Sequence, residues 1–501
     1  MENLNRVRAE FLRRLERIPV HGLGLSVDVY SPDLTSLLRV LRQRQEQPDY
    51  LELFRAAPKA LAAIRDEVGP ARLAYHGEGL WLTQPEAADD PLFSSEVHAI
   101  AEQLQLLRST WLNHECATKY MAGYAFGTYL PPLFTEASAA VVADHAMLVQ
   151  QLIDERCRFE NGQTPLLLLE MPPLTYFGAG TQSIPRFFHL VTKLAPCGLV
   201  LDVGHLWTLF RYTGAWRTTT LERFVEAFLD EFPLDRVVEI HVAGLAVHES
   251  SPFFNHDTGY DVRQTTEPTA PPTWTDAHAA PIPPILFDML DQILSHARLI
   301  GLKGLALEVD TKPEELIVAE YALFRERYGR VFPAREQVIR SSRNQEDVSI
   351  ERPSVSPTAR RLLAEAYDRY AMVVAGRTSP EGAEWDQYPA WKEGLTLYQS
   401  LYLPYEILHW GGELEGMFPE SCRRLTELDV PLQAFVRFWF RQPRTLTDPY
   451  DFFLLKIDRF LEFIRETAPE AVDTADREAD ELRRAYQAAN EPPVPTVQGS
   501  R

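Results

Sequence analysis

The residues best placed for chemistry begin with Gly198-Leu-Val-Leu-Asp202-Val-Gly-His205, an apolar run that breaks off in an aspartate, with a histidine three residues on. Such a run reads as a buried strand, and a carboxylate at its end is costly unless it is paired, hydrogen-bonded or bound to metal. A capping aspartate beside a surface histidine is the other reading of this stretch alone. Further apolar runs carry similar groups. His76 closes one, His114 lies in the C-terminal half of another, and Glu170 closes Pro165-Leu-Leu-Leu-Leu-Glu170. His241 and Glu308 sit in two later runs, with Asp276 and His278 in the loop between them. A lone strand-end histidine is usually a packed core residue, and a lone glutamate usually caps a helix or forms an ion pair. Five imidazoles and four carboxylates on successive runs are harder to dismiss. Without a convergent cysteine they suit zinc, iron or manganese, in sufficient number for more than one ion. Three ions sharing a bridging Glu170 would use the whole set.

These residues need a scaffold that brings strand ends together. Strand-like runs at 22–29, 50–54, 72–77, 111–116, 165–170, 198–205, 237–244 and 304–310 alternate with helical stretches. Regular strand–helix alternation implies parallel pairing, and eight such units suit a closed (β/α)₈ TIM barrel with enlarged loops. A doubly wound open sheet is the runner-up, but no glycine-rich phosphate turn follows the first run. In a barrel, all nine polar residues would converge on the mouth formed by the strands' C-terminal ends. Residues 1–333 are assigned to this domain, 334–360 to a linker, 361–490 to a smaller all-α domain and 491–501 to a disordered tail. A long loop containing Tyr129-Leu-Pro-Pro-Leu-Phe-Thr135 is expected before a helix at 136–156. The aromatics Tyr398, Tyr402, Tyr405, Trp410, Phe435 and Trp439 read as the core of the helical domain, with a peptide groove as the alternative. His248 and His256, on the long loop after the seventh run, are close enough to the mouth to reach substrate. His21, His98, His145, His189, His296 and His409 read as surface or packing residues.

Bulk properties narrow the class. The chain has 501 residues, 45% hydrophobic and 24% charged, which is ordinary for a soluble globular protein. Its 71 acidic and 50 basic residues give a net charge of −21, which repels phosphate backbones and argues against a nucleic acid partner. Cys116, Cys157, Cys197 and Cys422 are widely spaced, as in a reduced cytoplasmic protein. The first residues lack the apolar core of a signal peptide, and no run is long enough to span a bilayer.

The ordered series His76, His114, Glu170, Asp202-x-x-His205, His241, Asp276-x-His278, Glu308 resembles the trinuclear barrel of endonuclease IV and xylose-isomerase-like proteins. It is more closely similar to the multinuclear non-haem iron-dependent oxidases, the family of the methanobactin-biosynthesis oxidase. Gly22-Leu-Gly-Leu25, Leu130-Pro-Pro-Leu-Phe-Thr-Glu136 and Ile240-His-Val-Ala-Gly244 carry that closer likeness, over roughly residues 20–325. The resemblance implies His76, His114 and Glu170 as ligands of one iron. It implies Glu170, Asp202, His241 and Glu308 as ligands of a second, catalytic iron, with Glu170 bridging, and His205, Asp276 and His278 as those of a third. Met171 stands where the family usually has asparagine, and the loop between His241 and Asp276 is long.

The implied activity is an oxidoreductase using two or three Fe²⁺/Fe³⁺ ions, with O₂ as co-substrate. It would modify a ribosomally synthesised (RiPP) precursor peptide, often at cysteine. A separate peptide-recognition protein is implied as partner, a role the C-terminal domain is placed to take unless it holds a homodimer. The rivals are a zinc phosphodiesterase or a sugar isomerase on the same barrel, the latter using Lys119 or Lys312, and a non-catalytic metal- or peptide-binding protein.

Overall fold

The computed structural model describes residues 2–68, 71–159, 162–174, 176–247, 271, 274–332, 350–443 and 452–490. Eight strands form a closed barrel: β1 (Gly22–Val27), β2 (Tyr50–Phe54), β3 (Arg72–Gly77), β4 (Trp111–Glu115), β5 (Leu166–Glu170), β6 (Gly198–Asp202), β7 (Val237–Val242) and β8 (Gly304–Glu308). Each strand pairs in parallel with its chain neighbours, and β8 closes onto β1. Parallel pairing requires a crossover between strands, and helices supply it throughout. Several helices start on a polar cap: Asp33, Asp90, Thr135, Ser183 and Thr220 each accept a backbone N–H of the first turn.

Strand alternation sorts the side chains. Leu112, Leu167, Leu169, Leu199, Leu201, Leu305 and Leu307 belong to the core shared with the outer helices. Tyr50, Ala74, Trp111, Leu168, Val200 and Ala306 belong to a separate cluster inside the barrel, with Phe11, Leu15 and Ile18 of the N-terminal segment. The first helix, Glu2–Arg17, thus plugs the end of the barrel opposite the mouth. Glycines make room for the largest ring there. A Cβ at Gly24 or Gly304 would come within 2.4 or 2.6 Å of Tyr50.

Two segments differ from the sequence reading. Between β4 and the helix Glu136–Arg156, the expected loop holds an antiparallel hairpin, Thr118–Met121 with Tyr124–Leu130. Ala122 and Gly123 turn it with φ of 51° and 81°, the twist that a tight hairpin requires. The second difference is the end of β6: the strand stops at Asp202, and His205 lies in the first turn of a helix, Val203–Tyr212.

The C-terminal helices share one hydrophobic core with the barrel's outer layer. Their first, Pro357–Val374, starts inside the stretch read as linker. It is bonded to the segment before Glu136, Tyr367 Oη accepting Leu133 N–H at 3.1 Å and Tyr370 O–H donating to Pro131 O at 3.2 Å. Trp439 Nε1 donates to Ala125 O of the hairpin at 2.7 Å. Tyr398, Phe435 and Trp439 are buried, while Trp410 is 46% exposed. Residues 334–349 of the proposed linker, the 491–501 tail, and His248 and His256 lie outside the described residues.

His21, just below β1, is buried against Trp111 (ring centroids 4.0 Å apart) and donates Nδ1–H to Pro19 O at 3.0 Å. Burial lowers its pKa from 6.5 to about 3. The unfolded chain therefore binds this proton at a pH where the folded chain refuses it. The His21 contribution to stability is complete above pH 6.5 and is lost as pH falls toward 3. His21→Asn, which keeps the donor to Pro19, should flatten the fall in thermal midpoint across that window.

Candidate metal centre

The polar groups at the mouth are placed by the same alternation that sorts the core. On β5, Leu168 points inward, so Glu170 does too; on β6 Val200 places Asp202, and on β3 Ala74 places His76. Glu308 follows Ala306 on β8. The four groups Glu170, Asp202, His241 and Glu308 are buried and present ligand atoms within 4.8 Å of one another. Glu170 lies at the centre. Its oxygens are 3.5 Å from His76 Nε2, 3.4 Å from His241 Nδ1 and 3.9 Å from His205 Nδ1.

A second group adjoins on the outer side. His205 Nε2 is 3.5 Å from Asp276 Oδ2 and 3.9 Å from Asp202 Oδ1. His278 Nε2 is 3.3 Å from Asp276 Oδ2 and 3.4 Å from Glu308 Oε2, which links this group to the first. Asp276 is held opposite by a short antiparallel pairing of Trp274–Asp276 with Leu245–Val247. Asp202 also caps the helix that carries His205, accepting its N–H at 2.7 Å. The capping and site readings of this aspartate therefore coexist.

His114 is placed differently. On β4, Trp111 points into the barrel, so Asn113 and Glu115 do as well, and His114 points the other way. Its Nδ1 donates to Glu115 O at 2.9 Å and its Nε2 accepts Leu80 N–H at 3.0 Å, so both ring nitrogens are engaged. In its stead Glu115 joins His76 and Glu170 in a buried trio, and Asn113 donates to Glu170 at 2.7 Å. The spacing Trp111-x-Asn113-x-Glu115 was the sequence signal for this, once the inward face of β4 is known. Glu52, Glu239 and Asp310 were also missed: the first two form a buried trio with His241, and Asp310 Oδ2 lies 3.0 Å from His278 Nδ1. Lys119 pairs with Glu78, and Lys312 donates to Glu320 at 2.6 Å, so both candidate isomerase lysines are tied in ion pairs.

The protonation pattern follows from burial and crowding. Burial pushes the Asp202 carboxyl up to about 7 despite His205 beside it. Burial, then the charge of Glu170, raises Glu115 well above the usual range. Burial would raise Glu170 too, but His241, His76 and His205 hold it well below. Burial would lower His76, yet Glu170, Glu52 and Glu308 keep it at about 9. For His114, burial prevails and the ring falls to about 4.

Several buried polar atoms here have no hydrogen-bond partner: Glu170 Oε1, Asp202 Oδ2, Glu115 Oε2, Asp276 Oδ1 and both ring nitrogens of His241. Orphaned buried oxygens and an imidazole nitrogen directed at one space are what a bound cation satisfies. The donor set, imidazoles and carboxylates with no cysteine among the described residues, fits iron, zinc or manganese. Because His76 is protonated at neutral pH in the metal-free protein, a cation must displace that proton. Zinc affinity should therefore climb as pH rises from neutrality toward about 9, by up to about tenfold per unit for each proton displaced. Chelator competition at a series of pH values reads this directly. Strand alternation makes a separate prediction: Glu115→Gln should lower metal retained per chain after dialysis, and His114→Gln should leave it unchanged.

A family model described as "RiPP precursor modification enzyme MbnB/TglH/ChrH" matches residues 47–322. A "UPF0276 protein" of Paraburkholderia phytofirmans is 30% identical over 190 residues, 37% of this chain and 53% of that protein. A second, from Rhizobium meliloti, is 28% identical over 37% of this chain and 52% of its own length. The chain thus spans about half the length of the curated relatives it matches. Among solved structures, endonuclease IV from Thermus thermophilus matches 63% of this chain and 99% of its own, at 17% identity and a TM-score of 0.34.

Proposed function

We propose, for a chain that belongs to the MbnB/TglH/ChrH family of RiPP precursor modification enzymes, that it is an iron- and dioxygen-dependent oxidase acting on a ribosomally made peptide at cysteine. The observation that carries this reading is the shared position of Glu170. Its carboxylate lies between the His76–Glu115 pair and the Asp202–His241–Glu308 group, as a bridge between two ions requires. His205, Asp276 and His278 form an adjoining set for a further ion. Iron bound there would supply one-electron chemistry with dioxygen.

The chain's own residues do the rest. The barrel holds His76, Glu115, Glu170, Asp202, His241 and Glu308 on rigid strands, and Met171 O and Gly77 O orient His205 and His76 through their Nδ1–H groups at 2.6 and 3.1 Å. Depth in the barrel excludes bulk water from all but the outer group, where His278 and Asp276 retain some exposure. The C-terminal helices take the peptide-recognition role. They are bonded directly to the hairpin that follows β4, on the same face as the metal ligands.

Purification under anaerobic conditions, metal analysis and Mössbauer spectroscopy, followed by oxygen exposure with a cysteine-containing precursor peptide, tests the reading. The expected result is at least two irons per chain and an oxygen-dependent mass change in the peptide confined to cysteine. Stoichiometric zinc, with no iron-supported and oxygen-dependent product, would sink it.

A further inference from the structure

One layer below the metal cluster, the barrel buries two more carboxylates. Glu52 on β2 and Glu239 on β7 are both 0% exposed, between the apolar plug and the mouth. Neutral donors meet part of their demand. Ser26 Oγ–H and Trp111 Nε1–H donate to Glu52 at 3.0 and 3.1 Å, and Tyr50 O–H donates to Glu239 at 2.5 Å. The ionisable group set between them is the ring of His241, whose Nε2 is 3.1 Å from Glu52 Oε1 and 3.6 Å from Glu239 Oε2, close enough for an ion pair though neither contact has the alignment of a formed hydrogen bond.

His241 is oriented unlike the other three histidines of the centre. His76, His205 and His278 each anchor Nδ1 on an oxygen, at 3.1, 2.6 and 3.0 Å, and turn Nε2 toward the cluster. His241 is reversed. Its Nδ1 lies 3.4 Å from both Glu170 Oε1 and Glu308 Oε1, and its Nε2 points down into the barrel. A metal-binding imidazole must carry its proton on the nitrogen that does not bind, and an acceptor beyond that nitrogen selects the tautomer. The three Nδ1-anchored rings have such acceptors in Gly77 O, Met171 O and Asp310.

We infer that Glu52 is the positioning residue of His241, holding the proton on Nε2 so that the Nδ1 lone pair faces Glu170, Asp202 and Glu308. The inference rests on the metal-centre reading above and adds what that reading leaves open, the tautomer of the central imidazole and the group that selects it. Trp111 and Ser26 brace Glu52 in turn, so the plug of the barrel and the metal centre are joined through one carboxylate.

The test uses the full chain with zinc as probe. In the zinc-loaded wild type carrying ¹⁵N-labelled histidine, with the signal assigned through His241→Gln, His241 should show its proton on Nε2 and metal on Nδ1. Glu52→Gln should weaken zinc binding about ten- to a hundredfold, the range found for other outer-shell carboxylates. Glu52→Asp, which restores the acceptor, should recover part of that loss. Metal on Nε2 of His241 overturns the inference whether or not the variants fold. So does a folded Glu52→Gln with wild-type zinc affinity and an unchanged His241 tautomer. A wild type that binds neither zinc nor iron overturns the metal-centre reading itself, a distinct result because it appears before any substitution is made.

Discussion

Charge buried at one end of an apolar barrel is the constraint on which the rest of the structure depends. Glu52, Glu115, Glu170, Asp202, Glu239 and Glu308 all lie in or beside the barrel interior, almost without solvent. Water would stabilise such carboxylates far better than protein does, so each must find a proton, a donor or a cation. In the metal-free protein, imidazoles meet this need. His76 is held at about 9 by the carboxylates around it, and Asp202 is left near 7 by burial. Cations binding there would displace protons instead of adding uncompensated charge.

Below this cluster the barrel is apolar and tightly filled. The first helix supplies Phe11, Leu15 and Ile18, and glycines on β1 and β8 give Tyr50 its space. Tyr50 and Trp111 belong to this apolar layer, yet each turns one polar hydrogen upward, to Glu239 and Glu52 respectively. The same two residues are thus core packing on one side and hydrogen-bond donors on the other. Errors in packing the plug would be felt at the metal ligands through only one intervening side chain.

The C-terminal helices are fastened at a different level. They contact the hairpin and the helix after it, including Asp144 of Glu136–Arg156 through Arg360. Tyr367 and Tyr370 hold the Pro131–Leu133 turn by hydrogen bonds, and Trp439 holds the hairpin strand. Since the hairpin follows β4 directly, the helical region borders the strand that carries Asn113 and Glu115.

Apolar runs of the right length at regular intervals determined the barrel from the sequence alone, because eight buried parallel strands leave few other closed arrangements. The strand-end groups His76, Glu170, Asp202, His241 and Glu308 were legible for the same reason: a charge at the end of a Leu- or Val-rich run stands out. Residue type was not enough on β4. Neighbouring His114 and Glu115 are both plausible ligands, and only the inward direction of Trp111 decides between them. Glu52 and Glu239 carried no sequence signal, since a single acid inside a short strand looks like a solvent-facing position until the barrel closes around it. The hairpin was hidden because its strands are stabilised by helices more than two hundred residues away. The opening stretch shows both sides: the family resemblance already assigned Asp202 and His205 to different ions, and the helix that begins between them is the physical means by which Asp202 joins Glu170 and His205 joins Asp276. Periodicity and burial are local properties that a chain displays along its length. Which face turns inward, and what waits there, exists only once the strands have met.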